Sequence, residues 1–267
     1  MVAMLTLLSR LFPGSRPRTV FKQARDGDEP LLVLDDGDHR SLHFGTGPVQ
    51  SRMAFSDPST LVLAYTQAMM AALLFIPPPR HAVLIGLGGG SLVRFLRHHQ
   101  PACRLTVVEP DRDVQQAARQ WFRLDDDPAV EIETCGGEAF LCRPGDGATD
   151  LLLVDAFAAH APASELEQPE VFAGCREQLS PRGVAVFNLW SSPAEMLQRP
   201  LQLIGSAFDN RLLRLPVSGK GNLIILAFPH AVPNLQDRRL ILHARHLRSR
   251  LGLDMPDFLN RLRQVND

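Results

Sequence analysis

The chain has 267 residues, with 28 Lys or Arg against 29 Asp or Glu for a formal net charge of −1, 45 % hydrophobic and 21 % charged residues. This balance excludes disordered and collagen-like classes, and a near-neutral chain has no global field to draw it to nucleic acid or anionic lipid. Lys22 and Lys220 are the only lysines, so the basic residues are almost all arginine, a bias read as genome composition before mechanism.

Cys103, Cys135, Cys142 and Cys175 form no CxxC, and no Cys/His set has zinc-ligand spacing, so no metal is expected. The thiols are expected as small core residues in a reducing compartment. Residues 1–12 are apolar but carry Arg10 and run into Pro13-Gly14-Ser15 without a small-residue cleavage site. The longest apolar run elsewhere, 68–76, is less than half of what a bilayer needs. A soluble cytoplasmic protein without nucleic-acid or membrane partners is the expectation.

From the N-terminus, the runs 31–34, 39–44 and 49–55 are separated by Asp35-Asp36-Gly37-Asp38 and Gly45-Thr46-Gly47-Pro48, which predicts three short strands of an antiparallel sheet. Ser56-Asp57-Pro58 reads as a helix start. The helix would pass through Leu61, Tyr65, Ala68, Met69 and Ala72 and end at Pro77-Pro78-Pro79. That proline triplet divides an N-terminal β-strand domain with its linking helix, 1–76, from a second domain, 77–267.

Beyond it, apolar runs recur at 82–85, 105–108, 130–132 (interrupted by Glu131), 151–154 and 184–187, with helical periodicity at 91–99, 114–122 and 169–179. Strands uncharged on both faces and alternating with helices predict a doubly wound α/β fold around a parallel sheet. One more strand at 222–228 and a helical tail over 235–250 complete the reading.

Four strand ends carry the candidate chemistry. After the first comes Gly86-Leu87-Gly88-Gly89-Gly90-Ser91, where Gly86, Gly88 and Gly90 allow a tight turn and close backbone approach to a ligand at a helix N-terminus. Glu109 closes the second strand, where a carboxylate can accept from both ribose hydroxyls; Asp111 is the better-placed helix cap. The third ends in Gly136-Gly137-Glu138, where an acid can accept from an adenine amine or simply complement a helix dipole. Asp155 follows the fourth, at the crevice where such sheets bind ligands, as a general base or amine-orienting carboxylate, with a helix cap as the alternative. On these residues alone NAD and S-adenosyl compounds both stay open. His98-His99 and Asp125-Asp126-Asp127 read as solvated helix-end and turn groups, and Phe12, Phe21 and Phe44 as core or interface. The absence of GxSxG, HExxH and GxxxxGK[ST] removes hydrolase-elbow, zincin and P-loop readings.

The order VLIGLGGGSL (83–92), VVEPDRDV (107–114), GGEAF (136–140), LLVDAF (152–157), the Pro162-Ala163 turn and CREQLSPRGVAVFNLW (175–190), preceded by a β-domain and a helix carrying Tyr65, resembles the spermidine synthase (polyamine aminopropyltransferase) family over 31–190 and more loosely to 228. The resemblance implies a Rossmann-like, S-adenosylmethionine methyltransferase-type second domain. It implies that Gly86, Gly88 and Gly90 face a nucleoside, that Glu109 holds the ribose, and that Gly137, Glu138 and Gln50 lie near the ligand. Asp155 matches the base that deprotonates the attacking amine, and Tyr65 the active-site tyrosine. It also implies decarboxylated S-adenosylmethionine as co-substrate, methylthioadenosine as product, an amine acceptor, no tightly bound cofactor, and a homodimer or homotetramer.

Two positions depart from the family pattern. Gly89 replaces a loop acid that meets the aminopropyl amine, and Ala158 the second acid of a pair beginning at Asp155. Each charge-assisted hydrogen bond to an ammonium is worth about 1–3 kcal/mol, so losing two acids alters the amine half of the site more than the nucleoside half. His160, Glu165 and Glu167 lie nearby in sequence. Aminopropyl transfer leads. Gly89 favours methyl transfer from S-adenosylmethionine as an alternative, Ala158 favours a non-catalytic nucleoside-binding module, and NAD-dependent oxidoreduction ranks last because of Ser91 and the acids at 138 and 155.

Overall fold

The computed structural model describes residues 17–25, 29–156, 166–191, 195–217, 219 and 221–266. Phe12, the Pro162-Ala163 turn, Ala158, His160 and Glu165 lie outside them. The chain forms two compact units interleaved along the sequence. The first takes the described residues up to Leu63, then Leu87–His98 and Asp111–Asp127; the second takes Ala64–Gly86, His99–Pro110 and the described residues from Pro128 onward.

In the first unit, β1 (Arg18–Gln23), β2 (Leu31–Asp36), β3 (His39–Phe44) and β4 (Val49–Ala54) form an antiparallel sheet in sequential order. It has four strands rather than the expected three: the RTVFKQ run, with Arg18 and Lys22 on either side of Val20-Phe21, pairs with β2 as a charged edge strand. Asp36 pairs with His39 across the two-residue turn Gly37-Asp38, with Gly37 at φ +56°. Leu31, Val33, Leu42 and Met53 pack with Val114, Ala117 and Phe122, and Phe21 and Phe44 lie at the margin of that core. Val114 and Ala117 belong to α3 (Arg112–Trp121), whose N-terminus is capped by Asp111 accepting from the N–H groups of Asp113 and Val114. Arg40 holds Asp35 with two nitrogens, at 2.7 and 2.9 Å, and donates to the carbonyl of Trp121 at 2.9 Å.

The expected helix start at Ser56-Asp57-Pro58 is a turn instead. The Asp57 carboxylate accepts from the Ser59 N–H and from the hydroxyls of Ser59 and Thr60, and these donors pull its pKa down to about 2. Side-chain bonds of this kind compete with helix formation. The helix, α1 (Ala64–Met69), therefore starts six residues past Pro58 and tightens into a 3₁₀ turn over Met70–Leu74.

The second unit is built on a seven-stranded sheet in the order β10-β11-β9-β8-β5-β6-β7. β5 (His81–Ile85), β6 (Arg104–Val108) and β7 (Val130–Glu133) run outward in parallel. β8 (Thr149–Val154) then returns to the other side of β5, followed by β9 (Leu179–Trp190). This reversal makes the fold doubly wound, as expected. β11 (Asn222–Ala227) joins β9 antiparallel and β10 (Leu212–Pro216) closes the edge. Among the described residues five helices belong wholly to this unit beyond β7: α4 (Gly137–Leu141), α5 (Pro169–Gln178), α6 (Glu195–Ala207), α7 (Arg238–Leu251) and α8 (Met255–Asn266). α2 (Ser91–His99) opens after the glycine loop, over the same residues the periodicity predicts.

The core of this unit takes Val83, Ile85, Val108, Leu152, Val154, Ala185 and Phe187 from the sheet, with Phe172 and Ile204 from helices. Cys103 and Cys175 are buried, but Cys135 is half-buried and Cys142 exposed, so the expectation of core thiols holds for two of the four. All four are free, and burial pushes the Cys175 thiol up. Among the described residues no helix is long and apolar enough to cross a membrane.

Candidate functional site

The winding of the second unit reverses between β5 and β8, and an open α/β sheet leaves a crevice at the carboxyl ends of its strands at such a point. Five of the expected residues stand there, each past the end of a strand. Gly86 follows β5, Glu109 follows β6, Gly137 and Glu138 open α4 after β7, and Asp155 follows β8. Gly86 and Asp155 are neighbours: the Asp155 N–H donates to the Ile85 carbonyl at 2.9 Å, and the Gly86 N–H to that of Val108 at 2.9 Å. Gly86 has φ +99°, and a Cβ there would stand 2.6 Å from the Asp155 carbonyl oxygen. A glycine is needed here both for conformation and for space.

Glu109 is 9 % exposed, and its N–H donates to the Glu133 carbonyl at 3.0 Å, extending the β6–β7 pairing past the last strand residue. Glu138 is half-buried in the first turn of α4. Gly137 beside it has no room for a side chain, since a Cβ would meet Ile85 Cγ2 at 2.5 Å.

Asp155 is half-buried and held from two sides. Asn188 donates to its Oδ1 through Nδ2 at 2.8 Å, and the Tyr65 hydroxyl hydrogen-bonds to the same carboxylate. Burial pushes the carboxyl upward from the usual Asp range, while the bonds from Asn188 and Tyr65 pull it back. Burial, then the Asp155 charge, pushes the Tyr65 phenol well above its ordinary value, so Tyr65 stays protonated and donates. Asn188 Oδ1 accepts from Asn222 Nδ2 at 3.0 Å. The sequence reading missed Asn188 and Asn222. The available signal was a pair of amides beside apolar runs, Asn188 after 184–187 and Asn222 before 223–227.

The other expected residues belong to the first unit. Gln50 is half-buried in β4, with Nε2 3.5 Å from the Pro48 carbonyl. Gly88 and Gly90 adopt φ +52° and +73°. Arg94, on α2, donates to the carbonyls of Gly89, Phe122 (2.7 Å) and Pro58 (2.8 Å). Its burial pulls the guanidinium down to about 10. Gly89, where the family pattern has an acid, has no room for a side chain in this packing. A Cβ there would lie 2.8 Å from Ser51 Oγ and 2.9 Å from the ring of Phe122. Ser51 Oγ is itself hydrogen-bonded to Ser91 Oγ at 3.0 Å, and Phe122 is wholly buried.

Glu167, considered as a replacement for the missing acids, pairs with Arg199 at 3.7 Å. At the end of α2, His98 is exposed, as the reading of a solvated helix-end group expects, and His99 is half-buried. In the Asp125–Asp127 turn, Asp127 is held by Arg97 at 2.7 Å. Among the described residues no group of three His, Cys, Asp or Glu side chains is placed to hold a metal ion.

No protein-family profile matches the chain. It is 35 % identical over 235 residues to a polyamine aminopropyltransferase from Chromobacterium violaceum, covering 88 % of this chain and 89 % of that protein. It is 34 % identical over 260 residues to a polyamine aminopropyltransferase from Neisseria meningitidis serogroup A, covering 94 % and 95 %. In fold it is similar to a probable spermidine synthase from Corynebacterium glutamicum, with a TM-score of 0.72 at 19 % identity over 88 % of each chain.

Proposed function

The chain belongs to the polyamine aminopropyltransferase family and is a transferase, and from that premise we propose how its own residues divide the work. The observation that carries the proposal is the Asp155 carboxylate at the β5/β8 reversal, half-buried and held by Asn188 and Tyr65, on a residue whose backbone packs against Gly86 too closely for a side chain there.

In this reading Glu109 accepts from the ribose hydroxyls of decarboxylated S-adenosylmethionine. Gly86, Gly88 and Gly90 let the backbone approach the nucleoside, Gly137 and Glu138 lie near the adenine, and Gln50 lies near the ligand. Asp155 takes a proton from the ammonium of the acceptor, and Tyr65 orients the carboxylate. The freed amine lone pair attacks the methylene carbon beside the sulfonium. A C–N bond forms, the C–S bond breaks, and its electron pair neutralises sulfur to give methylthioadenosine. Alignment of nucleophile and leaving group plus one proton transfer supply the catalysis, with no tightly bound cofactor. A division at the proline triplet into residues 1–76 and 77–267, a homodimer or homotetramer, and a cytoplasmic setting complete the proposal.

The test is mass spectrometry of the adenosyl product. The protein is incubated with decarboxylated or intact S-adenosylmethionine and with putrescine, cadaverine or spermidine as acceptors. Methylthioadenosine above an Asp155→Asn background is the expected result, and the co-product mass names the acceptor. S-adenosylhomocysteine, or turnover unchanged in Asp155→Asn, would overturn the assignment.

A further inference from the structure

Two amides behind Asp155 have no part in the chemistry just described. Asn188 lies on β9 opposite Ile224, and Asn222 on β11 opposite Trp190, so the two stand diagonally on one face of an antiparallel pair. Asn188 is 8 % exposed and has little water to satisfy its amide. Both of its polar ends are used: Nδ2 donates to Asp155 Oδ1 at 2.8 Å, and Oδ1 accepts from Asn222 Nδ2 at 3.0 Å.

We propose that Asn222 and Asn188 form a positioning relay for the proton-accepting carboxylate, with Asn222 acting through Asn188. The inference rests on the reading of Asp155 as the base. An amide in this place has two orientations. With Nδ2 towards Asp155 it stabilises the carboxylate; turned over, it sets an oxygen against it. The carboxylate, which only accepts, requires the first, and Asn222 supports it by donating through Nδ2 to the Asn188 oxygen that then faces away from Asp155. With Tyr65 on the same carboxylate, two of its roughly four acceptor positions are taken by fixed donors and the remainder stay open for an amine. Donation to the charged form holds the carboxyl below the value that burial alone would set.

The test measures kcat, KM and the pH profile of Asn222→Ala, Asn222→Asp, Asn222→Ser and Asn188→Ala beside Asp155→Asn, with methylthioadenosine affinity by calorimetry as the check on folding. Asn222→Ala is expected to lower kcat about tenfold with KM for the adenosyl substrate within about twofold. Asn222→Asp, though closer in size, is expected to be worse and to move the acidic limb of the profile up by about one pH unit, because a carboxylate draws Asn188 Nδ2 away from Asp155. Asn222→Ser, whose hydroxyl is one bond shorter than the amide and falls short of Asn188 Oδ1, is expected to match Asn222→Ala and not Asn222→Asp. An inactive Asp155→Asn together with an unmoved limb and wild-type kcat in Asn222→Asp would overturn the relay and leave the base standing. Full turnover in Asp155→Asn would overturn both.

Discussion

Replacing Gly86 by alanine tests whether the loop after β5 and the carboxylate after β8 form one rigid arrangement. The new Cβ would stand 2.6 Å from the carbonyl oxygen of Asp155, a backbone atom that cannot rotate away, at a residue with φ +99°. Left-handed backbone costs an alanine about 1–2 kcal/mol, and forced overpacking about 1–3 kcal/mol. Together these give about 2–5 kcal/mol, or a Tm fall on the order of 10 °C for a chain of this size. Gly136→Ala is the matched control. Its Cβ meets nothing within 4 Å, its backbone is extended with φ −65°, and replacement of such a glycine is neutral or stabilising by about 0.4–1 kcal/mol. Thermal denaturation of both variants measures the difference, and turnover of Gly86→Ala should also fall because the contact displaces the residue that carries the carboxylate. A Tm for Gly86→Ala within about 2 °C of the Gly136→Ala control, well inside that expected fall, would refute the reasoning.

Other outcomes follow from the same geometry. Asp155 must be ionised to accept a proton and burial raises its pKa, so kcat should fall on acidification with a midpoint above the ordinary Asp value of about 3.9. A midpoint at or below that value would contradict the burial argument. His43 hydrogen-bonds Ser41 Oγ at 2.9 Å, and its pKa is lowered chiefly by burial, with Arg52 adding to it. Its contribution to stability is present above the unfolded value of about 6.5 and is lost as pH falls through the depressed folded value. Urea melts on both sides of that range should show a slope that His43→Gln flattens, and an equal slope in the variant would refute the assignment. Gly89→Asp, which restores the acid of the family pattern, should lower stability by about 1–3 kcal/mol because the Phe122 ring has nowhere to go. A more stable variant with tighter amine binding would show that the loop accommodates the acid after all.

The legibility of this chain follows the range over which each signal acts. The strands at 82–85, 105–108 and 151–154 are buried on both faces, so their uncharged runs declare them. The residue after each run then falls at the crevice whatever the tertiary detail, and Gly86, Glu109 and Asp155 could be named from sequence. Strand β10 was hidden because an edge strand ending in Pro216, with Arg214 in its middle, carries no clean pattern. Helix α6 contains Pro200, which reads as a breaker. The turn at Asp57 misled because the same acid-proline pair opens helices, and only the hydroxyls of Ser59 and Thr60 decide otherwise. Asn188 owes its role to Asn222, 34 residues away on another strand, and no local window contains both.

Interleaving of the two units has a consequence for synthesis. The apolar side of the β1–β4 sheet finds its partners in Val114, Ala117 and Phe122, and Arg40 reaches a carbonyl 81 residues further along the chain. A nascent chain that has emitted β4 still lacks α3, so Leu31, Val33, Leu42 and Met53 have no cover until translation passes residue 122. At about 5–20 residues per second, that delay lasts several seconds, during which an open strand edge and an uncovered apolar face coexist. Contacts of such sequence separation also slow refolding from denaturant. Exposure of an aggregation-prone surface during translation is therefore built into the chain order itself.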